Sequence, residues 1–88
     1  MYNYLVEFLG AVFFVYVILA TGNPIAIGAA LALVMVIAGP ISGGHINPIV
    51  TIVMAAADKF PTNEIVFYSI SQIMGGLVAL ELYKRYQL

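Results

Sequence analysis

The apolar course of this chain is broken in its middle by a string that cannot be helical throughout. Gly39-Pro40-Ile41-Ser42-Gly43-Gly44-His45-Ile46-Asn47-Pro48 holds three glycines and two prolines, residues that end helices and start turns. The apolar run that follows, Ile49 to Ala57, stops at Asp58-Lys59. Begun at Pro48, it makes a helix of about 15 Å, half of the ~30 Å hydrocarbon core of a bilayer. Such a helix is too short to cross, and an ordinary surface loop has no reason to be so apolar. Residues 41–57 therefore read as a re-entrant loop and half-helix. Irregular backbone at that depth is tolerated only against protein or a water-filled cavity.

The flanking segments fix the setting. Apolar runs at about 4–21, 24–39 and 64–84 are each long enough to span, which gives an all-α membrane protein with one half-helix in a single unit, 1–88. Only seven of the 88 side chains are charged (8%), and 64% of the residues are hydrophobic. A water-facing surface cannot be built from that, and a net charge of −1 offers no footprint for nucleic acid. Met1-Tyr2-Asn3 lacks the positive start of a signal peptide, so the first run is expected to be retained. Gly22 stops it, Asn23 caps the next helix and Pro24 suits its first position. Gly28 with Ala32, and Gly75 with Ala79, form small faces on which another helix can close in. Glu64 favours the start of the last span, and Tyr83-Lys84-Arg85-Tyr86 anchors its far end at an interface.

The polar residues inside the spans carry the chemistry. Asn47 caps a helix begun by Pro48, which gathers its amide and free backbone N–H groups at a positive helix end in mid-membrane. Gly43, Gly44 and His45, if extended, lead to that point as a row of carbonyl acceptors. Acceptors running to a donor make a path for small neutral polar molecules and disfavour cations there. Glu7 lies within the first span, where a carboxylate costs several kcal/mol unless satisfied. It reads as a brace accepting hydrogen bonds from the buried loop, with Gly10 on the same face. Gln72 reads as glue between helices, and Phe13, Phe14 and Tyr16 as lipid-facing or packing residues. His45 is the sole histidine and no cysteine exists, so no metal site, disulfide or cofactor is expected. Ser42, Ser69 and Ser71 have only His45 as a candidate base and no orienting acid, which excludes the usual catalytic arrangements.

Glu7-Phe8-Leu9-Gly10, then Ile41-Ser42-Gly43-Gly44-His45-Ile46-Asn47-Pro48-Ile49-Val50-Thr51, then Gln72 with Gly75-Gly76 resembles the first repeat of the aquaporin and glycerol-facilitator family. The resemblance implies a fold of two inverted repeats whose half-helices meet end to end. It implies that Asn47 donates to the permeating molecule, that Pro48 stacks on the opposing half-helix, and that the carbonyls of Gly43, Gly44 and His45 line a vestibule. Counting from Asn47, the family's selectivity-filter positions fall on Ile27, Met35, Gly44 and Val50. That filter is apolar and lacks the family's Arg, and Ile49 stands where Ala is usual. One repeat is present in place of two. The expected activity is passive passage of water or small neutral solutes such as glycerol through a pore formed by two inverted copies, with an octamer of four such pores or a separate second half as the partner arrangements. Lys59 on one side against Lys84 and Arg85 on the other specifies orientation weakly. The other expectations are a non-conducting structural membrane protein and, last, a proton-coupled transporter titrating at Glu7.

Overall fold

Three helices have the length and apolar character that crossing a membrane demands, and a fourth has half of it. In the computed structural model, which describes residues 2–86, the order is α1 (Asn3–Thr21), α2 (Pro24–Ser42), α3 (Pro48–Ala56), a 3₁₀ turn (Thr62–Glu64) and α4 (Ile65–Arg85). No strand occurs among the described residues. The fold is that of an all-α membrane protein.

Local chemistry sets most of the ends. Gly22 closes α1 in the left-handed conformation, its N–H reaching the Ile18 carbonyl. Asn23 opens α2 by accepting from the N–H groups of Ile25 and Ala26 at 2.9 and 3.0 Å. Asn47 opens α3 in the same way, accepting from Ile49 N at 2.9 Å.

The second helix departs from expectation. It continues past Gly39 and Pro40 to Ser42, where the sequence pattern ends it near 39. Pro40 removes the N–H that would bond the Val36 carbonyl and its ring crowds that carbonyl, so the last turn needs support from elsewhere. The extra turn is held from outside: the Tyr68 hydroxyl donates to the Ser42 carbonyl at 2.7 Å, and the Ser42 hydroxyl donates to Glu7 at 2.6 Å. Gly43, left-handed at φ 95°, then closes the helix onto the Gly39 carbonyl.

Two side-chain ties fix the helix directions. The Tyr4 hydroxyl donates to both carboxylate oxygens of Glu64, and the Tyr16 hydroxyl donates to the Tyr86 carbonyl. α1 and α4 therefore run parallel, and α2 returns between their ends so that Ser42 meets Glu7. α1 and α4 approach closely at Gly75, where a Cβ would stand 2.5 Å from the Phe8 carbonyl oxygen and 2.8 Å from the Ala11 Cβ. Ala79, one turn on, is fully buried in the same seam. Against α2 the seam is Gly10, whose missing Cβ leaves room for Val34 and Ile46. Ala11, Val34, Ala38 and Ile46 form the apolar core there, with Val6 and Phe14 packed on it. The Gly28–Ala32 face, which the sequence offers as a contact, is exposed: α2 meets the rest of the chain through Ala30, Val34 and Ala38 instead.

Candidate functional site

The segment between α2 and α4 leaves and re-enters at one end of the bundle, the end where Tyr4 meets Glu64 and Ser42 meets Glu7. Its backbone is not the extended ladder that the sequence suggests. Gly43, Gly44 and Ile46 all have positive φ, at 95°, 63° and 63°. Gly44 turns in against α2, where a Cβ would come within 3.3 Å of Met35 Cα and 3.4 Å of Gly39 N. Ile46 is the strained member, because a β-branched residue in the left-handed region is a steric outlier. It persists because its side chain fills the socket under Gly10 and its N–H donates to Glu7 at 2.7 Å.

Glu7 is fully buried and takes four hydrogen bonds. One oxygen accepts from Ser42 Oγ at 2.6 Å and His45 N at 3.1 Å. The other accepts from Ile46 N at 2.7 Å and Gln72 Nε2 at 2.8 Å. Every lone pair of a carboxylate is thereby engaged, and hydrogen bonds to a charged acceptor contribute about 1.5–3 kcal/mol each. That total offsets the several kcal/mol needed to keep a charge out of water. The carboxylate also fixes the path of the loop, since two of its four donors are consecutive backbone N–H groups.

Thr51 is a hub: it stands in the string that carries the resemblance, but sequence reasoning gave it no role, because a threonine in an apolar run does not show what it bonds. Its hydroxyl oxygen accepts from Gln72 Nε2 at 2.9 Å and lies 2.9 Å from His45 Nδ1. Thr51 is fully buried, and the His45 ring packs edge-on to Phe60 with centroids 4.7 Å apart and tilted on Tyr68 at 5.4 Å. Gln72 spends both N–H groups on Glu7 and Thr51, and its Oε1 is buried without a partner among the described residues.

These contacts set the depth of Asn47. Thr51 meets Gln72 about 10 Å along α4 from Ile65, and Asn47 stands one turn of α3 deeper, at about 16 Å. α4 has 21 residues and so extends about 31 Å, which puts Asn47 at its middle. Asn47 is exposed, with its Oδ1 committed to the cap. Pro48 beside it is half-buried, Gly43 is exposed, and Gly44 and His45 are buried. Around that tip α3 shows Ile49, Val50, Ile52 and Val53 to the outside and buries only Thr51 and Ala55.

The positions counted as a filter are not all gathered by one chain. Met35 and Gly44 are in contact. Ile27 lies two turns from Met35 along α2, about 12 Å, and Val50 faces outward from α3. Among the described residues no cluster of three or more His, Cys, Asp or Glu side chains is arranged to hold a metal ion.

Known proteins share this arrangement of sequence. A family model described as Major intrinsic protein matches residues 1–87. The chain is similar to a protein named Glycerol uptake facilitator protein-like 6 from Lactiplantibacillus plantarum, with 39% identity covering 90% of this chain and 41% of that one. It is similar to Aquaglyceroporin-2 of Rhizophagus irregularis, with 45% identity over 68% of this chain and 20% of the relative. It is also similar to Aquaporin Z of Bradyrhizobium diazoefficiens, with 41% identity over 69% of this chain and 25% of the relative. The chain thus spans less than half the length of these curated relatives. With three membrane-crossing helices and a family match over nearly its whole length, this chain is a multi-pass integral membrane protein and belongs to the major intrinsic protein family.

Proposed function

We propose that the chain forms half of a passive membrane pore for water and small neutral solutes such as glycerol, closed by a second copy inserted in the opposite orientation. The observation that carries this reading is Asn47: an exposed amide at mid-depth, on the tip of a half-helix whose outer face is also uncovered. A helix N-terminus with free N–H groups is unstable against lipid tails and stable against protein or water. A second inverted copy supplies both, one half-helix facing the other across a polar centre. The permeant then exchanges water for the carbonyls of the 43–45 bend and the paired Asn47 amides. The positive helix ends hold cations away from that point. Relatives named for glycerol uptake and for aquaporin support the permeant class. Glu7, buried with four donors around it, suits a structural anchor better than a titrating carrier.

The test is stopped-flow light scattering of proteoliposomes with water and a series of polyols. Wild-type vesicles should change volume several-fold faster than lipid alone, and Asn47→Asp should abolish that gain or admit cations. Rates equal to those of empty vesicles, from correctly assembled protein, would leave only the non-conducting structural role. Orientation is tested in the cysteine-free background by single cysteines at Thr21 and Thr62, which lie at opposite ends of the bundle. Each should label from both sides of the membrane. One-sided labelling would point to a separate chain as the second half.

A further inference from the structure

The hydrogen bonds around Thr51 run in one direction. Glu7 is acceptor-only as a carboxylate, and the backbone N–H groups of His45 and Ile46 aimed at it are donors in every state. Gln72 must therefore turn its NH₂ end toward Glu7. The second hydrogen of the same NH₂ goes to Thr51 Oγ1. Turning the amide over would set Oε1 against the carboxylate and leave N–H groups buried without acceptors, in place of one unpartnered carbonyl. With a lone pair taken by Gln72, the Thr51 hydroxyl has its own proton to give, and His45 Nδ1 is 2.9 Å away.

We infer that the chain Gln72 to Thr51 to His45 holds the only histidine as the neutral Nε2–H tautomer, so that its side chain adds a hydrogen-bond donor at the mouth of the loop to the acceptor of its backbone carbonyl. Nε2 lies against Gly43, where a Cβ would come within 3.1 Å of it. Gly43, exposed and left-handed, carries no side chain over Nε2, which is the edge of a ring that is otherwise buried. Phe60 and Tyr68 fix the plane of the ring. On the pore reading, on which this step rests, His45 is a second donor to the permeant, with Ile46 between it and Asn47. Thr51 and Gln72 are the positioning residues. A donor there favours solutes that offer an oxygen acceptor and matches the polyol class.

The test is nitrogen-15 solid-state NMR of histidine-labelled protein in liposomes, where a single histidine gives one unambiguous pair of ring signals. The expected spectrum has a protonated Nε2 and an unprotonated Nδ1 at the shift of a hydrogen-bonded acceptor. Thr51→Val should move the Nδ1 signal to its unbonded value or transfer the proton to it, while Thr51→Ser keeps the wild-type spectrum. In the same vesicles Thr51→Val should lower polyol flux several-fold, with Thr51→Ser restoring it. A wild-type Nδ1–H tautomer, or an Nδ1 signal unmoved in Thr51→Val, overturns the assignment whatever the flux. The expected spectra in vesicles that pass no solute would retain the tautomer and sink the pore reading alone.

Discussion

Two Asn-Pro pairs start helices in this chain, Asn23-Pro24 and Asn47-Pro48, and the local chemistry of the two is nearly the same. Each asparagine has extended backbone and caps the following helix through its side-chain oxygen. Each is preceded by left-handed residues, Gly22 before the first and Gly43, Gly44 and Ile46 before the second. They differ in what surrounds them. A Cβ on Gly22 would meet nothing within 4 Å, and Asn23 sits in an exposed turn between two spanning helices. The second pair follows a loop wedged against α2, pinned by Glu7 and set at mid-depth on a nine-residue helix. A dipeptide specifies a helix start. The buried carboxylate fixes where the second start stands.

Breaking the anchor should therefore have the largest effect and fall on one pair alone. In Glu7→Gln, whichever way the new amide sits, its NH₂ faces one of the two backbone N–H groups of His45 and Ile46. Opposing donors in a buried site, with a charge-assisted bond lost, cost about 3–5 kcal/mol by analogy with broken buried charge networks. The expected outcome is loss of monodisperse protein on detergent size-exclusion chromatography, or a strongly lowered melting temperature by circular dichroism. Survival with an unchanged melting point would show that the loop is held by the Ile46 socket alone.

The glycines give the next comparison. Gly22 and Gly44 are both left-handed, at φ 56° and 63°, a conformation that asparagine tolerates best among residues with side chains. Gly22→Asn should cost a few tenths of a kcal/mol to about 1 kcal/mol, since open space surrounds it. Gly44→Asn should cost more, about 1–3 kcal/mol, because the Cβ presses on the backbone of Met35 and Gly39 and the loop must lift off α2. Thermal melts of the two variants side by side measure the difference. Equal melting temperatures would mean that the loop shifts freely and is not the rigid element described.

How far each region could be read from sequence follows the same division. The start of α2 is legible because everything that makes it is adjacent: Gly22, Asn23 and Pro24 act on their own neighbours. Glu7 and Gln72 stand out as polar residues in apolar spans, and the Gly75–Ala79 face as a small-residue seam. Their partners do not stand out, because Glu7 bonds across 35 to 65 residues of sequence. The extension of α2 through Pro40 depends on Tyr68 and Glu7 reaching Ser42, contacts that no local rule contains. Ile46 is the clearest case: β-branching argues against positive φ, and only the socket at Gly10 and the Glu7 carboxylate reverse that preference. The role of Thr51 is hidden for the opposite reason, since a buried hydroxyl in a helix is unremarkable until its bonds to both Gln72 and His45 are seen.

Removing the caps themselves isolates structure from passage. Asn23→Ala and Asn47→Ala each delete one cap, worth about 1 kcal/mol, and should lower the melting temperature alike. Asn23→Ser and Asn47→Ser restore a capping oxygen and should melt close to wild type. Only Asn47→Ser also removes an amide donor from the centre of the bundle, and the loss of one hydrogen bond of about 0.5–1.5 kcal/mol predicts a two- to tenfold fall in solute flux. Flux unchanged in Asn47→Ser, or reduced equally in Asn23→Ser, would remove the functional distinction between the two pairs.

The smallest effect concerns the face of α2 that begins at the first pair and is left open. Gly28 meets nothing within 4 Å and Ala32 is exposed, although their spacing suits a close helix contact. In a single chain Gly28→Ala adds a methyl group to empty space and improves helix propensity, a gain of up to about 1 kcal/mol. The melting temperature should rise slightly and the oligomer measured by size-exclusion chromatography with light scattering should not change. A drop in assembly with the chain still helical would place a neighbouring helix on this face. The pairing of copies would then involve the turn at Asn23 as well as the tip at Asn47, and the first Asn-Pro pair would no longer be merely local.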